Sequence, residues 1–351
     1  MHLLGIETSC DETAAAILHW DGTVRANIVH SQIPDHAVYG GVVPEVAARQ
    51  HVARLPGIVR RAFQEANLGW ADVDAIAVTH GPGLASSLLV GLTAAKTLAL
   101  RMGKTLLPVN HLEGHVCSLF LGDAAIDSTQ ACPMLVLLVT GGHTCLIGVE
   151  RPGVYRMLGR TLDDAAGEAL DKGAKLLGLG YPGGPAIERV AATGSDSAVR
   201  FPIGTLTAKS LPRGCELDPA YCFSFSGIKT SLLYHLRRTH ADIQDEVVRA
   251  NLAASYQYAV FDALVRRVDR ALAAGPWKTF GCVGGVARNK ILRHRLMDTV
   301  AHHDVELHVA EPQFCTDNAA MIAAVPCFVE ARRASVERPV TIDVMPGLAL
   351  A

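Results

Sequence analysis

Two imidazoles stand four residues apart in Asn110-His111-Leu112-Glu113-Gly114-His115. A helix through them would turn both to one face, at a spacing that a divalent cation accepts. Such a cation needs at least one more ligand, and Asp317 in Cys315-Thr316-Asp317-Asn318 offers a carboxylate that we expect to reach in from a second lobe. Fifteen histidines in the chain make one such pair unsurprising by chance, so the spacing alone does not establish a metal. A metalloprotease is disfavoured. In a zincin helix the general-base Glu directly follows the first His, whereas Glu113 lies two places on, about 200° around the helix.

Glycine turns are the second kind of chemistry on offer. Val139-Thr140-Gly141-Gly142-His143-Thr144 sits between two apolar runs, and paired glycines there leave backbone N–H groups able to approach an anion. An ordinary hairpin uses the same glycines for positive φ, so both readings stand. Gly284-Gly285-Val286-Ala287-Arg288-Asn289 follows the strand-like Phe280–Val283 and precedes a helical pattern, where a ligand's polar edge could meet a helix start. The same glycines would also serve close packing of strand on helix. Neither GxGxxG nor GxxxxGK[ST] occurs, which disfavours a P-loop NTPase. Over 162–179 a helical pattern puts Asp164, Glu168, Asp171 and Lys175 on one side, followed by a loop crowded with Gly178, Gly180, Pro182, Gly183, Gly184 and Pro185. Solvated ion pairs explain the charges on their own. An Asp beside so shaped a loop could also take the hydroxyls of a ribose. Glu7, Asp11 and Glu12 cluster in the first turn, as a solvated hairpin tip or as a surface suited to a metal-bridged or amine-bearing ligand. No GxSxG elbow or other activated nucleophile appears, so covalent catalysis is unsupported.

These residues need elements to hold them. The chain starts a strand-turn-strand pattern twice, from Leu3 and from Met134. Each is followed by an apolar strand that ends in glycines and opens into a helix, from Ala75 and from Phe280. The halves look related, and the second is longer, with an insertion expected at about 159–239. Helices are expected over 44–67, with Pro56 bending or splitting it, over 84–100, and over 242–274, stopped by Gly275-Pro276. The pattern is α/β, with two lobes facing a cleft in which a ligand would bind. The boundaries expected are 1–130 for the first lobe, 131–325 for the second, and 326–351 as a tail returning to the first.

The 351 residues are half hydrophobic, enough for two cores. Lys and Arg total 32 against 34 Asp and Glu, a net charge of −2, so a polyanionic partner is neither announced nor excluded. Nine cysteines without a CxxC pair read as reduced thiols of a cytoplasmic protein. The sequence opens without a secretory pattern, and the apolar stretch 84–100 is interrupted by Ser86, Ser87, Thr93 and Lys96, which speaks against a membrane span. Basic pairs at Arg60-Arg61, Arg237-Arg238 and Arg266-Arg267 read as solvated helix faces, or as phosphate contacts if the partner is RNA.

In order along the chain, Gly5-Ile6-Glu7-Thr8-Ser9-Cys10-Asp11-Glu12-Thr13, Tyr39-Gly40-Gly41-Val42-Val43-Pro44-Glu45, His111-Leu112-Glu113-Gly114-His115, Gly141-Gly142-His143-Thr144, Asp163-Asp164-Ala165-Ala166-Gly167-Glu168, Tyr181-Pro182-Gly183-Gly184-Pro185, Phe223-Ser224-Phe225-Ser226-Gly227 and Cys315-Thr316-Asp317-Asn318 together resemble the bacterial TsaD family of tRNA threonylcarbamoyladenosine transferases. The resemblance runs from Leu4 to about Met321 and rests on the order of the motifs. It implies two duplicated actin/Hsp70/sugar-kinase-like (ribonuclease H-like) lobes around a cleft. It implies transfer of threonylcarbamoyl from threonylcarbamoyl-adenylate to the exocyclic amine of the adenosine immediately 3′ of the anticodon, in tRNAs reading codons that begin with A, with release of AMP. By the same resemblance His111, His115 and Asp317 hold one divalent metal, Fe2+ in most members and Zn2+ in some. Leu138, Val139, Thr140, Gly141, Gly142, Asp171, Gly184 and Asn289 would hold the adenylate, with Asp171 on the ribose. A smaller inactive TsaB-like paralogue and a TsaE-like ATPase are the implied partners.

Three positions depart from the commoner pattern: Thr140 where Ser is frequent, Arg288 where a small residue is usual, and Cys222 where Asp often precedes Phe-Ser-Phe-Ser-Gly. No general base is assigned. The competing readings are an ATP-dependent phosphotransferase or ATPase of the same fold, and a non-catalytic scaffold without metal.

Overall fold

The structure is a computed structural model that describes residues 1–333 and 341–350. The chain forms two compact units. The first comprises Met1–Cys132, the short segment Val149–Tyr155 and the described chain from Val309 onward; the second comprises Pro133–Gly148 and Arg156–His308. The return to the first unit begins at Val309 rather than 326, because the helix that follows is apolar on every side and must be buried.

In the first unit, β1 (His2–Glu7), β2 (Glu12–His19), β3 (Val24–Ser31), β4 (Val73–Gly81) and β5 (Thr105–Asn110) form a sheet of order β3-β2-β1-β4-β5. β1 is antiparallel to β2 and parallel to β4, in register Ile6 to Ala15 and Ile6 to Val78. Its run Leu3–Glu7 is wholly buried, as a central strand covered on both faces must be. Between the strands lie α1 (Ile33–Ala37), α2 (Pro44–Ala66) and α3 (Ala85–Met102), and α4 (His111–Cys117) follows β5. Leu55, Ile58, Val59 and Phe63 of α2 and Leu92 and Ala95 of α3 build one core with Leu4, Ile6, Ile17, Ile28 and Ile76 of the sheet. Of the two expectations at Pro56, a bend or a split, the split does not occur: α2 runs through it unbroken. Val52, four residues back, lies on the exposed side, where water can satisfy the carbonyl that proline leaves without a donor.

A second sheet, most of it in the second unit, repeats the plan. β6 (Met134–Val139), β7 (Thr144–Arg151), β8 (Val154–Arg160), β9 (Thr279–Val283) and β10 (Glu306–Val309) take the order β8-β7-β6-β9-β10, which is the first sheet's order with each strand advanced by five. β6 and β9 are parallel, as β1 and β4 are. Between β8 and β9 run α5 (Ala166–Leu176), α6 (Gly183–Ala191), α7 (Ser226–Thr239) and α8 (Glu246–Ala274), and α9 (Lys290–Val300) follows β9. Asp245 caps α8 by accepting from Val247 N and Val248 N at 2.8 and 3.0 Å, and the helix ends at Gly275 as its sequence requires. α8 packs on α5, α6 and β6. Its buried Tyr256 donates a 2.7 Å hydrogen bond to Ala169 O of α5.

The chain then re-enters the first unit through α10 (Pro312–Cys315), α11 (Ala319–Phe328) and α12 (Glu330–Arg333). α11 packs on β1, β2 and α4. Every residue of Ala319–Cys327 is buried. Among the described residues, no helix is long and apolar enough to cross a membrane.

Candidate metal centre and nucleotide loops

The pair read from spacing sits at the start of α4. Asn110 caps that helix, its Oδ1 accepting from Leu112 N at 2.9 Å and Glu113 N at 3.4 Å, so His111 opens the first turn and His115 lies one turn on. Their rings are 4.7 Å apart, edge to face. Asp317 precedes Asn318, which caps α11 by accepting from Met321 N at 3.0 Å. The close approach of the two helices brings the carboxylate to the imidazoles. Gly114 makes this approach feasible: a Cβ there would meet Ile322 Cδ1 at 2.9 Å.

Asp317 Oδ1 lies 3.1 Å from His115 Nε2 and 3.6 Å from His111 Nε2. Ligand atoms of the three residues all fall within 4.8 Å of one another, the compass of a single cation. Both imidazoles are buried, and each turns its Nε2 toward Asp317 Oδ1, so a cation seated among them would take up the lone pairs they present there. The donor set, two neutral-capable imidazoles and a carboxylate, suits a borderline divalent ion such as iron or zinc. All three ligands belong to the first unit, so Asp317 does not reach in from a second lobe as the sequence reading had it.

Behind His111 stands Glu7, at the end of β1. Glu7 Oε2 and Ser9 Oγ each lie 3.2 Å from His111 Nδ1, and Thr79 Oγ1 donates to Glu7 Oε2. Burial pushes the Glu7 carboxyl up, but the imidazole facing it more than reverses this and holds it below the ordinary value. Burial likewise favours neutral His111, yet the carboxylates of Asp317 and Glu7 overcome it and lift the imidazole to about 9. His115 goes the other way, because burial outweighs its contact with Asp317. Of the two expectations for the acidic cluster, a solvated hairpin tip does not hold for Glu7 and Asp11: Glu7 is wholly buried and Asp11 nearly so. The signal was a lone carboxylate closing an otherwise apolar strand. Glu113 does not join the three ligands: its Oε2 accepts from Arg332 Nε at 3.1 Å.

The glycine turn 139–144 is tighter than expected. Thr140 N donates to His143 O at 2.8 Å, and Gly142 N and His143 N donate to Thr140 Oγ1 at 3.2 and 2.9 Å. Gly142 N and His143 N are thus engaged inside the turn, which leaves fewer amides for an anion than the sequence suggests. Leu138 and Val139 are buried in β6, and nothing lies within 4 Å of where a Cβ on Gly141 or Gly142 would stand. Asp171, on α5, accepts from Gly183 N at 2.6 Å and so pins the loop that carries Gly184 into α6. Asn289 is buried and caps α9, accepting from Ile291 N and Leu292 N at 3.0 and 3.1 Å while its Nδ2 donates to Gln257 Oε1 at 3.0 Å. A short 3-10 turn, Gly285–Arg288, separates it from β9. Leu138–Gly142, Asp171, Gly184 and Asn289 all belong to the second unit. Of the departing residues, Thr140 supplies the hydroxyl that organises its turn, Cys222 is fully buried with its carbonyl accepting from Arg267 Nε, and Arg288 is exposed.

A five-stranded sheet of this order, repeated within one chain with helices on its faces, defines the actin/Hsp70/sugar-kinase-like class of α/β proteins. Solved structures agree on the fold. Component A of (R)-2-hydroxyglutaryl-CoA dehydratase from Acidaminococcus fermentans matches with a TM-score of 0.52 at 15% identity, over 94% of this chain and 99% of its own. Full-length HypF matches with a TM-score of 0.60 at 10% identity, over 96% of this chain and 47% of its own. Sequence narrows the class. The model of the TsaD family, described as tRNA N6-adenosine threonylcarbamoyltransferase, matches residues 23–324. Proteins of that name from Desulfitobacterium hafniense and Gloeobacter violaceus are 45% and 47% identical, over 100% and 96% of this chain and 98% and 94% of their own lengths. The one from Symbiobacterium thermophilum is 44% identical over 99% of this chain and 96% of its own. The chain belongs to the TsaD family, a family of transferases.

Proposed function

We propose that this chain modifies tRNA by moving threonylcarbamoyl from threonylcarbamoyl-adenylate to the exocyclic amine of the adenosine immediately 3′ of the anticodon, in tRNAs reading codons that begin with A. The C–N bond to the adenine amine forms as the carbamoyl–phosphate C–O bond breaks, AMP leaves, and the amine gives up one proton. The observation that carries the reading is the buried convergence of His111, His115 and Asp317 in a chain of this family. A divalent ion held there, Fe2+ or alternatively Zn2+, supplies a Lewis acid able to carry charge of an adenylate phosphate.

The chain's own groups have distinct tasks. Glu7 and Ser9 fix the ring of His111, so its Nε2 stays aimed at the position shared with His115 and Asp317. Leu138, Val139 and Thr140 to Gly142 would bind the adenylate, with Gly141 N donating to its anionic edge. Asp171 would accept from ribose hydroxyls beside the loop carrying Gly184, and Asn289 would hold the start of α9 against the base. We assign no residue to accept the amine's proton. A TsaB-like paralogue and a TsaE-like ATPase are the expected partners, and the cytoplasm the expected compartment.

The test is a reconstitution. The metal-loaded chain, its expected partners, threonylcarbamoyl-adenylate and an unmodified tRNA transcript are incubated, the RNA is digested to nucleosides, and their masses are measured. The threonylcarbamoylated adenosine is the expected product. ATP hydrolysis with every adenosine unmodified would instead support a phosphotransferase of the same fold.

A further inference from the structure

The second unit carries a basic pocket that the reaction above does not use. It encloses about 460 Å³, and no acidic side chain lines it. Arg237 and Arg238 close the last turn of α7, Tyr234 and His235 stand one turn earlier, and Arg200 faces them from the segment that precedes the buried Phe201. Phe201 makes a fixed floor, with its ring 6.0 Å from His235 and 6.1 Å from the buried Tyr256. Tyr234 is 64% exposed, an unusual place for so large an aromatic face.

Several cations elsewhere in the chain are neutralised by carboxylates. Arg266 and Arg295 both pair with Asp262, Lys172 and Lys229 with Asp164, and Arg332 with Glu113. Among the described residues, Arg200, Arg237 and Arg238 have no such carboxylate. Compensation of the helix dipole accounts for basic residues at the end of α7, but not for Arg200, which comes from another segment. Three uncompensated guanidinium groups around an exposed phenol, in a chain whose net charge is only −2, form a local positive field with a stacking surface.

We propose that this pocket grips the phosphate backbone of the tRNA, with Arg200, Arg237 and Arg238 on phosphates and Tyr234 stacked on an unpaired base. The proposal rests on tRNA being the substrate. Salt dependence of binding tests it, because each phosphate contact adds about 0.7–0.9 to the slope of log K against log salt.

Binding of an unmodified tRNA transcript by the parent chain is compared with that of R200A/R237A/R238A. The expected result is a slope shallower by about 2 to 3 in the triple variant. R200K/R237K/R238K, which keeps the charge, should keep the slope, and bound metal should stay at the parent level in both. Tyr234→Ala should weaken binding by roughly 5- to 100-fold at every salt concentration without altering the slope. An unchanged slope in the alanine triple, with the parent still modifying tRNA, overturns the pocket and leaves the activity standing. Lost association with a partner protein at an unchanged tRNA slope assigns the pocket to protein and overturns the RNA assignment. A parent that neither binds nor modifies tRNA overturns both.

Discussion

At the scale of single residues, the metal centre depends on groups that touch no ion. Glu7 holds His111 through Nδ1, and such outer contacts are typically worth 10- to 100-fold in metal affinity. Glu7→Gln keeps the shape and loses the charge, so we expect iron or zinc to bind roughly 10- to 100-fold more weakly in competition with a chelator. His115→Ala and Asp317→Ala remove ligands outright; both should emerge from purification with metal content near zero by elemental analysis, and parental content in both would dismiss the centre. The two histidines were legible because helical spacing is a property of sequence alone. Asp317 could be offered from the residues as a candidate carboxylate but singled out only through family likeness, since its distance along the chain from His111 carries no geometric signal. For Glu7 the sequence leaves two readings open, because local pattern cannot tell a solvated turn from one packed beneath a helix.

At the scale of elements, small residues set how closely strands and helices approach. A Cβ on Gly5 of β1 would meet Ala319 O, at the start of α11, at 2.3 Å. Gly5→Ala should therefore wedge α11 away and displace Asp317, lowering metal affinity together with a stability loss of about 1–3 kcal/mol in urea melts. Gly173 of α5 lies against the ring of Tyr256, where a Cβ would come within 2.2 Å. Gly173→Ala should cost a similar ~1–3 kcal/mol and leave metal content unchanged, which separates the two units by readout. The Asp164 carboxyl, pushed up by burial, is held below its usual value by hydrogen bonds from Lys172 and Lys229. A carboxyl lowered in the folded state stabilises above its unfolded pKa, and that contribution is lost as pH falls through the folded value. Lys229→Met should thus cost about 1 kcal/mol or less at pH 7, and the gap from the parent should narrow in melts taken at successively lower pH below the ordinary aspartate value. Of the elements, α8 was legible from its apolar spacing and its Gly275-Pro276 stop, and the two hairpins from their turns. β3, β5, β8 and β10 passed unremarked, being partly exposed or short, with their pairing decided by partners far along the chain.

At the scale of the whole molecule, duplication was readable because each half repeats a strand-turn-strand start and a glycine-ended strand, and the matching sheet orders follow. The ownership of residues 309–325 was not, because sequence order says nothing about which core a late helix will cover. α11 is that helix, buried from Ala319 to Cys327 against β1, β2 and α4. A chain cut after His308 should lose metal completely, and its N-terminal sheet should be digested by protease far faster than in the parent.

The same discontinuity bears on synthesis. A ribosome releases the two histidines long before the aspartate, and between them it must deliver nearly all of the second unit. The nascent N-terminal sheet therefore waits with one apolar face uncovered while another domain is translated, an interval in which a chaperone has something to hold. Capture of the ion becomes one of the last events in the birth of this protein.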